Sequence, residues 1–305
     1  MRQARAPGEG RGRVHLWLAL LLWGLASLQP AAAQTADRFA RGVLWKIEAN
    51  GIASSHVFGT VHVADPRVTN LPAPVREALN AAASFTMEVT LDPANVQLLA
   101  GRMFYLDGRN LPQVIGQPLF DKVVVSAAAL GLPPQALSLM KPWAVTLLLV
   151  MPKQDPAGVL DNVLHGIARE QGKTIHQLES VEEQVGIFEN MPEADQILIL
   201  RHALDQRSRM QESLVRMIDA YVARDLAAVA RIADEDAGAD TQVRQANERL
   251  KRRVLDERNT RMAERMQPQL KAGRAFVAIG ALHLYGENGV LALLEQRGYR
   301  VSRVY

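Results

Sequence analysis

Strand-forming sequence in this 305-residue chain is confined to its two ends, with one short run between them. "VLWKIEA" (43–49), "SHVFGTVHV" (55–63) and "SFTMEVTLD" (84–92) are dense in β-branched and aromatic residues near the start. "AFVAIGALHL" (275–284) and "YRVSRVY" (299–305) repeat that character at the end, and "KTIHQLES" (173–180) is the short run between. From about 182 to 268 there is almost no strand signal, only charged amphipathic helix. A sheet in this chain is therefore assembled from the two ends. The expected fold is α/β (α+β): a central mixed β-sheet of N- and C-terminal strands, packed by helices, with a long helical insertion in the middle.

Local signals sharpen this. "ANGIAS" between the first two strands predicts a turn and a hairpin, and the Pro- and Ala-rich "LPAPVREALNAAA" before the third predicts a helix. Segments 93–106, 117–131, 133–151 and 158–173 have apolar residues at helical spacing. The helical insertion reads as two long helices, 192–236 and 240–268, broken at "DAGAD". The terminal strand, helix 286–298 and last strand form a β-α-β unit with Gly298 as helix stop.

Residues 1–33 read as a leader. Arg2, Arg5, Arg11 and Arg13 precede an apolar run, and Ala31, Ala32 and Ala33 offer a cleavage site after Ala33. The expectation is a signal peptide, a periplasmic or secreted product, and a single domain over 34–305 with a helical subregion at about 182–270. The leader carries four of 35 basic residues and one of 32 acidic ones, which leaves 31 of each. A neutral mature chain gives no argument for nucleic acid as a partner. Without cysteine there is no disulfide and no lipidated cysteine. "PWAVTLLLV" lies between Pro152 and a start at Pro142, too short for a span of ~20 residues, so no membrane span is expected after cleavage.

Two strands end alike. Gly59 and His62 close "VFGTVH"; Gly280 and His283 close "AIGALH". With 21 glycines and 7 histidines, chance alone supplies about half of one Gly-x-x-His match, so the pattern is weak without its context. Context strengthens it, because ligands in open α/β folds gather at the carboxyl ends of strands. Imidazoles are the commonest metal ligands, and Glu88 in "FTMEVT" is a charge in an apolar strand that needs a partner. Hydrogen-bonded core histidines and an exposed Glu88 face explain the same letters. Glu179, Glu182 and Glu183 in "LESVEEQ" are ligands, a base or helix-start carboxylates, and Ser180 with Glu183 makes a capping box. Arg258 and Asn259 lie on a helix, facing a cleft or a solvated salt-bridged face. His56, His165, His176 and His202 carry no partner pattern.

The ordered strings "LWKIEANGIASSHVFGTVHVAD", "MEVTLD", "MKPWAV", "LDNVLHGIAREQGKTIHQLESVEEQ", "DERN" and "FVAIGALHLYGENGVLALLEQRGYRVSRV" resemble the TraB/GumN family, related to the Tiki proteins of animals. The resemblance runs from about 44 to 305, with Ser180 where the family's threonine usually stands. It implies a metal site of His62, Glu88 and His283, with Gly59 and Gly280 as motif glycines. It implies working roles for Glu179, as ligand or general base, and for Arg258 and Asn259, on substrate or oxyanion. The Tiki likeness implies a metal-dependent hydrolase, peptidase-like, using a divalent metal ion such as manganese, cobalt or zinc, on a peptide or small-molecule substrate. The wider superfamily includes erythromycin-esterase-like and haem-binding ChaN-like proteins. A non-enzymatic periplasmic binder that sequesters a peptide, haem or small ligand is the alternative. The long helices also offer a face for a homo-dimer.

Overall fold

Asn50 and Gly51 turn the chain between its first two strands, Gly51 at φ 74°, a left-handed conformation that suits glycine. β1 (Leu44–Ala49) and β2 (Ile52–Thr60) pair antiparallel across that turn, as the sequence predicts. The structure, a computed structural model, describes residues 38–305 other than 91, 153, 236, 237 and 239. The expected leader and its expected cut after Ala33, and part of the break at "DAGAD", lie outside the described residues.

Four further strands complete a mixed six-stranded sheet: β3 (Ser84–Met87), β4 (Thr174–Gln177), β5 (Ala275–Gly280) and β6 (Arg300–Arg303). Their order is β4-β3-β5-β2-β1-β6. β5 runs parallel to both β2 and β3, and β3 parallel to β4, while β1 is antiparallel to β2 and β6. Five strands thus point one way and β1 alone points back. β5 is the most apolar strand, with its first five residues buried, because it lies at the sheet's centre with both faces covered. Chain ends 220 residues apart are neighbours here: Gly59 lies opposite Ile279 and Thr60 opposite Gly280.

Two expected strands stop early, for one reason. β3 ends at Met87, so Glu88 follows the strand rather than lying inside it, and β5 turns at Ala281–His283 into a 3-10 turn. At that point the Gly280 N–H donates to Glu88 Oε1 at 2.7 Å, so two strand ends bind through a side chain.

The insertion is helical throughout, as expected, but more finely cut. The first long helix is three: Glu193–Asp205, Arg207–Val222 and Leu226–Glu235, the last break at Arg224 with φ 58°. The second runs Thr241–Lys251, then a π-helical stretch Arg252–Asp256, then Glu257–Arg265, and a further helix Gln267–Ala272 follows. A second apolar cluster forms away from the sheet, where Trp143 stacks on Phe188 with ring centres 5.8 Å apart. Pro142–Val150 belongs to it as the buried helix its letters predict. Among the described residues no helix is long and apolar enough to cross a membrane.

Candidate functional site at the strand ends

The four adjacent parallel strands β4, β3, β5 and β2 each lead, within three residues of their ends, to a singled-out residue: Glu179, Glu88, His283 and His62 respectively. Sheet order, not sequence order, makes them neighbours. The Glu257–Arg265 helix lies across three of these ends and brings Arg258 and Asn259 to them.

Arg258 is the centre of the group. Its Nη2 donates to Glu88 Oε2 at 2.6 Å and Glu179 Oε2 at 2.7 Å, and its Nε donates to both Glu179 oxygens at 2.9 and 3.1 Å. Its Nη1 donates to His283 Nε2 at 3.2 Å and the Val254 carbonyl at 3.3 Å. All five N–H donors are thus taken inside the protein, all from a side chain only 8% exposed. Glu179 also accepts from Arg261 at 3.3 Å and Gln184 at 3.2 Å. Its side chain is fully buried and its charge is answered by two guanidinium groups.

These contacts fix the state of His283. A guanidinium can only donate, so Nε2 of His283 accepts and its proton sits on Nδ1. Nδ1 then donates to Asn259 Oδ1 at 2.6 Å, and Asn259 Nδ2 donates to the Asn288 carbonyl at 2.8 Å, which settles the amide's orientation. Burial pushes the His283 ring down to about 4, against the pull of Glu88 and aided by the Arg258 charge. It is neutral at physiological pH. Burial acts to raise the Glu88 carboxyl, but the charges facing it prevail and hold it at about 2. With His283 neutral, the positive charges that do this are Arg258 and then protonated His62, with the Gly280 N–H in support.

His62 stands at the open side. Its side chain is 57% exposed, and its Nδ1 is 2.8 Å from Asp161 Oδ2. Asp161, on the Leu160–Glu170 helix, also accepts from Thr60 Oγ1 at 2.7 Å, so the carboxylate is bound to the same strand end that carries the histidine. Desolvation by surrounding protein acts to lower this imidazole, but the Asp161 hydrogen bond and charge outweigh it and raise the ring to about 9. Asp161 drew no notice in the sequence, because a first-turn helix aspartate is already explained by the helix dipole. Arg261 and Tyr221 carry no signal of their own in the sequence, and Gln184 only its place in the family-like stretch 178–184. Tyr221 donates its hydroxyl to the Gly59 carbonyl at 2.7 Å, locking β2 where it nears the site.

The motif glycines differ in what they do. A Cβ on Gly59 would lie 2.7 Å from Leu284 Cδ1 and 3.1 Å from the Ala281 Cα, so the β5 turn packs on bare backbone there. A Cβ on Gly280 would lie 3.3 Å from the His283 ring and 3.4 Å from Glu88 Oε1. Glu182 and Glu183 take the structural part. Ser180 and Glu183 form the expected capping box, and Arg265 pairs with Glu183 at 2.7 Å.

The donor types, two imidazoles and a carboxylate, are those of a divalent-ion site, but Arg258 already bonds Glu88 Oε2 and His283 Nε2. Both motif histidines are held at Nδ1 by a side-chain oxygen, the arrangement that orients metal-bound imidazoles, although His283 Nε2 accepts from Arg258. Glu88 Oε1 is 3.8 Å from His283 Nε2. His62, Glu88 and His283 are the residues that would hold the ion. As the chain stands, no three His, Asp or Glu side chains among the described residues are drawn together around one point, and Arg258 is the cation at the centre.

Compared with known proteins, residues 43–303 match the TraB/PrgY/gumN family. No curated protein and no solved structure gave a match. The match spans every strand of the sheet and all four strand ends that carry the site, and the chain belongs to the TraB/PrgY/gumN family.

Proposed function

We propose that this chain is an exported hydrolase of carbonyl substrates, peptide bonds first among them, with His62, His283 and Glu88 as its working centre. The observation that carries the reading is the matched grip on the two imidazoles: each is fixed through Nδ1 by a side-chain oxygen, just beyond the ends of adjacent parallel strands. A structural histidine needs no such symmetry. While no ion is bound, Asp161 orients His62 and keeps it protonated, poised to give a proton to a leaving group; as a ligand the ring gives that proton up and Asp161 only orients it. The dyad works as the Asp-His pair of a hydrolytic triad does, with the carboxylate fixing tautomer and orientation. His283, neutral and buried, is held between Asn259 and Arg258. A divalent ion held by His62, Glu88 and His283 would supply a more acidic water and a polarised carbonyl. Arg258 and Glu179 act behind these groups, as the ion-paired frame that holds Glu88 ionised and in place.

The test is cleavage of a mixed fluorogenic peptide pool by the protein lacking residues 1–33, with manganese, cobalt or zinc and with EDTA. Cleavage that His62→Ala and His283→Ala each lower by about 100-fold or more supports the reading. Cleavage that both variants retain sinks it.

A second reading is capture without catalysis of a peptide, haem or other small ligand. What favours it is that all of Arg258's donors are already used and that a cavity of about 840 Å³ opens beside the site. Tight binding of pool peptides that are recovered uncut separates it from the first.

A further inference from the structure

The cavity of about 840 Å³ is bounded by the Leu226–Glu235 and Thr241–Lys251 helices, the π-helical stretch and the loop 282–289. Its size falls in the range that takes small ligands and peptide segments. Its apolar lining is half-buried: Phe188, Met210, Leu250, Leu255, Leu282 and Tyr285. Its charged lining is mostly exposed and largely of one sign. Asp234, Glu248, Asp256 and Glu287 face Lys251, whose ammonium pairs with Asp234. The guanidinium next to Glu248 in sequence, Arg249, is turned to Asp195 at 2.7 and 2.9 Å. Lys251, the one cation among the described lining residues, is taken by Asp234, and Glu248, Asp256 and Glu287 form no ion pair within the lining, though the Arg249 charge lies near Glu248.

The cavity also meets the site. Asn259 lines it, and Asn259 is the residue that holds His283 Nδ1. Asn288, whose carbonyl fixes the Asn259 amide, lines it too. An occupant therefore lies one side chain behind His283.

We propose that this cavity is a subsite for a peptide segment with bulky apolar side chains beside a lysine or arginine. The apolar residues sit in the half-buried lining and the basic group meets Glu248, Asp256 and Glu287. Calling the segment substrate rests on the hydrolase reading above; its binding does not.

The experiment uses two blocked, fluorescently labelled pentapeptides, Gly-Leu-Lys-Leu-Gly and Gly-Leu-Glu-Leu-Gly, with anisotropy and cleavage followed in the same samples. The lysine peptide should bind about tenfold tighter at low salt, and the preference should shrink as salt rises. In Glu248→Lys/Glu287→Lys, two exposed changes that leave the core untouched, the preference should invert. Leu255→Ala should weaken both peptides alike. Equal affinity for the two peptides, no binding of either, or a preference that survives the charge reversal overturns the proposal. Selective binding without cleavage would instead count against the hydrolase reading alone. Cleavage of both peptides with no selectivity would count against the cavity alone.

Discussion

Arg258 answers two buried carboxylates at once, and removing it would strand Glu88 and leave Glu179 with Arg261 alone. Breaking a buried pair costs about 3–5 kcal/mol, because the charge left behind has neither water nor partner. Arg258→Met should therefore lower unfolding free energy by about that amount, read by urea titration. Arg258→Met combined with Glu179→Gln should recover part of the loss, and strict additivity of the two would contradict a shared network. His62 offers a test without activity. Asp161→Asn removes the carboxylate that raises the ring to about 9, so its pKa should fall toward the ordinary 6.5 in a proton NMR titration. A ring that still titrates near 9 would mean that Asp161 is not its partner in solution.

Elements bring these residues together by ending where they do. Gly59 is the clearest case, since the turn after β5 packs on its backbone. Gly59→Ala should cost about 1–3 kcal/mol, less if Leu284 swings aside, seen as a lower Tm with far-ultraviolet dichroism unchanged. Much of this was readable in the letters. The hairpin at Gly51, the capping box at Ser180, the stop at Gly298 and the helical insertion follow local rules and appear where those rules put them. The two histidines, Glu88, Glu179, Arg258 and Asn259 were readable as candidates beside structural alternatives, and the family resemblance tipped the choice. What the letters do not carry is pairing. Nothing in "AFVAIG" says that it slots between β2 and β3, and that placement is what makes His62 and His283 neighbours. Nor does "LDNVLHG" announce that Asp161 reaches back to a strand 100 residues earlier. The π-helical stretch ahead of Arg258 is equally silent, because Arg252–Asp256 reads as ordinary amphipathic helix.

At the scale of the whole molecule, the site makes the metal-free fold sensitive to acid. The unfolded chain takes a proton on the His283 ring below about 6.5, while the folded chain resists until about 4, so stability is lost as pH falls through that window. The loss is on the order of 3 kcal/mol from this group. Glu88 adds to it lower down, since the folded carboxyl stays charged to about 2 and the unfolded one protonates below 4.5. Urea midpoints in EDTA should drop between pH 7 and pH 4, and drop less in His283→Gln than in the parent. The centre is also charge-balanced without an ion: Glu88, Glu179 and Asp161 stand against Arg258, Arg261 and protonated His62. Taking up a divalent ion therefore requires His62 to release its proton, which links binding to pH. The most direct measurement of the central claim is calorimetric titration of manganese, cobalt and zinc into the protein lacking residues 1–33, beside a His62→Ala/His283→Ala variant. The account predicts one ion per chain, proton release on binding, and no uptake in the variant. A parent protein that takes up none of the three ions, or a variant that binds as well, would contradict it.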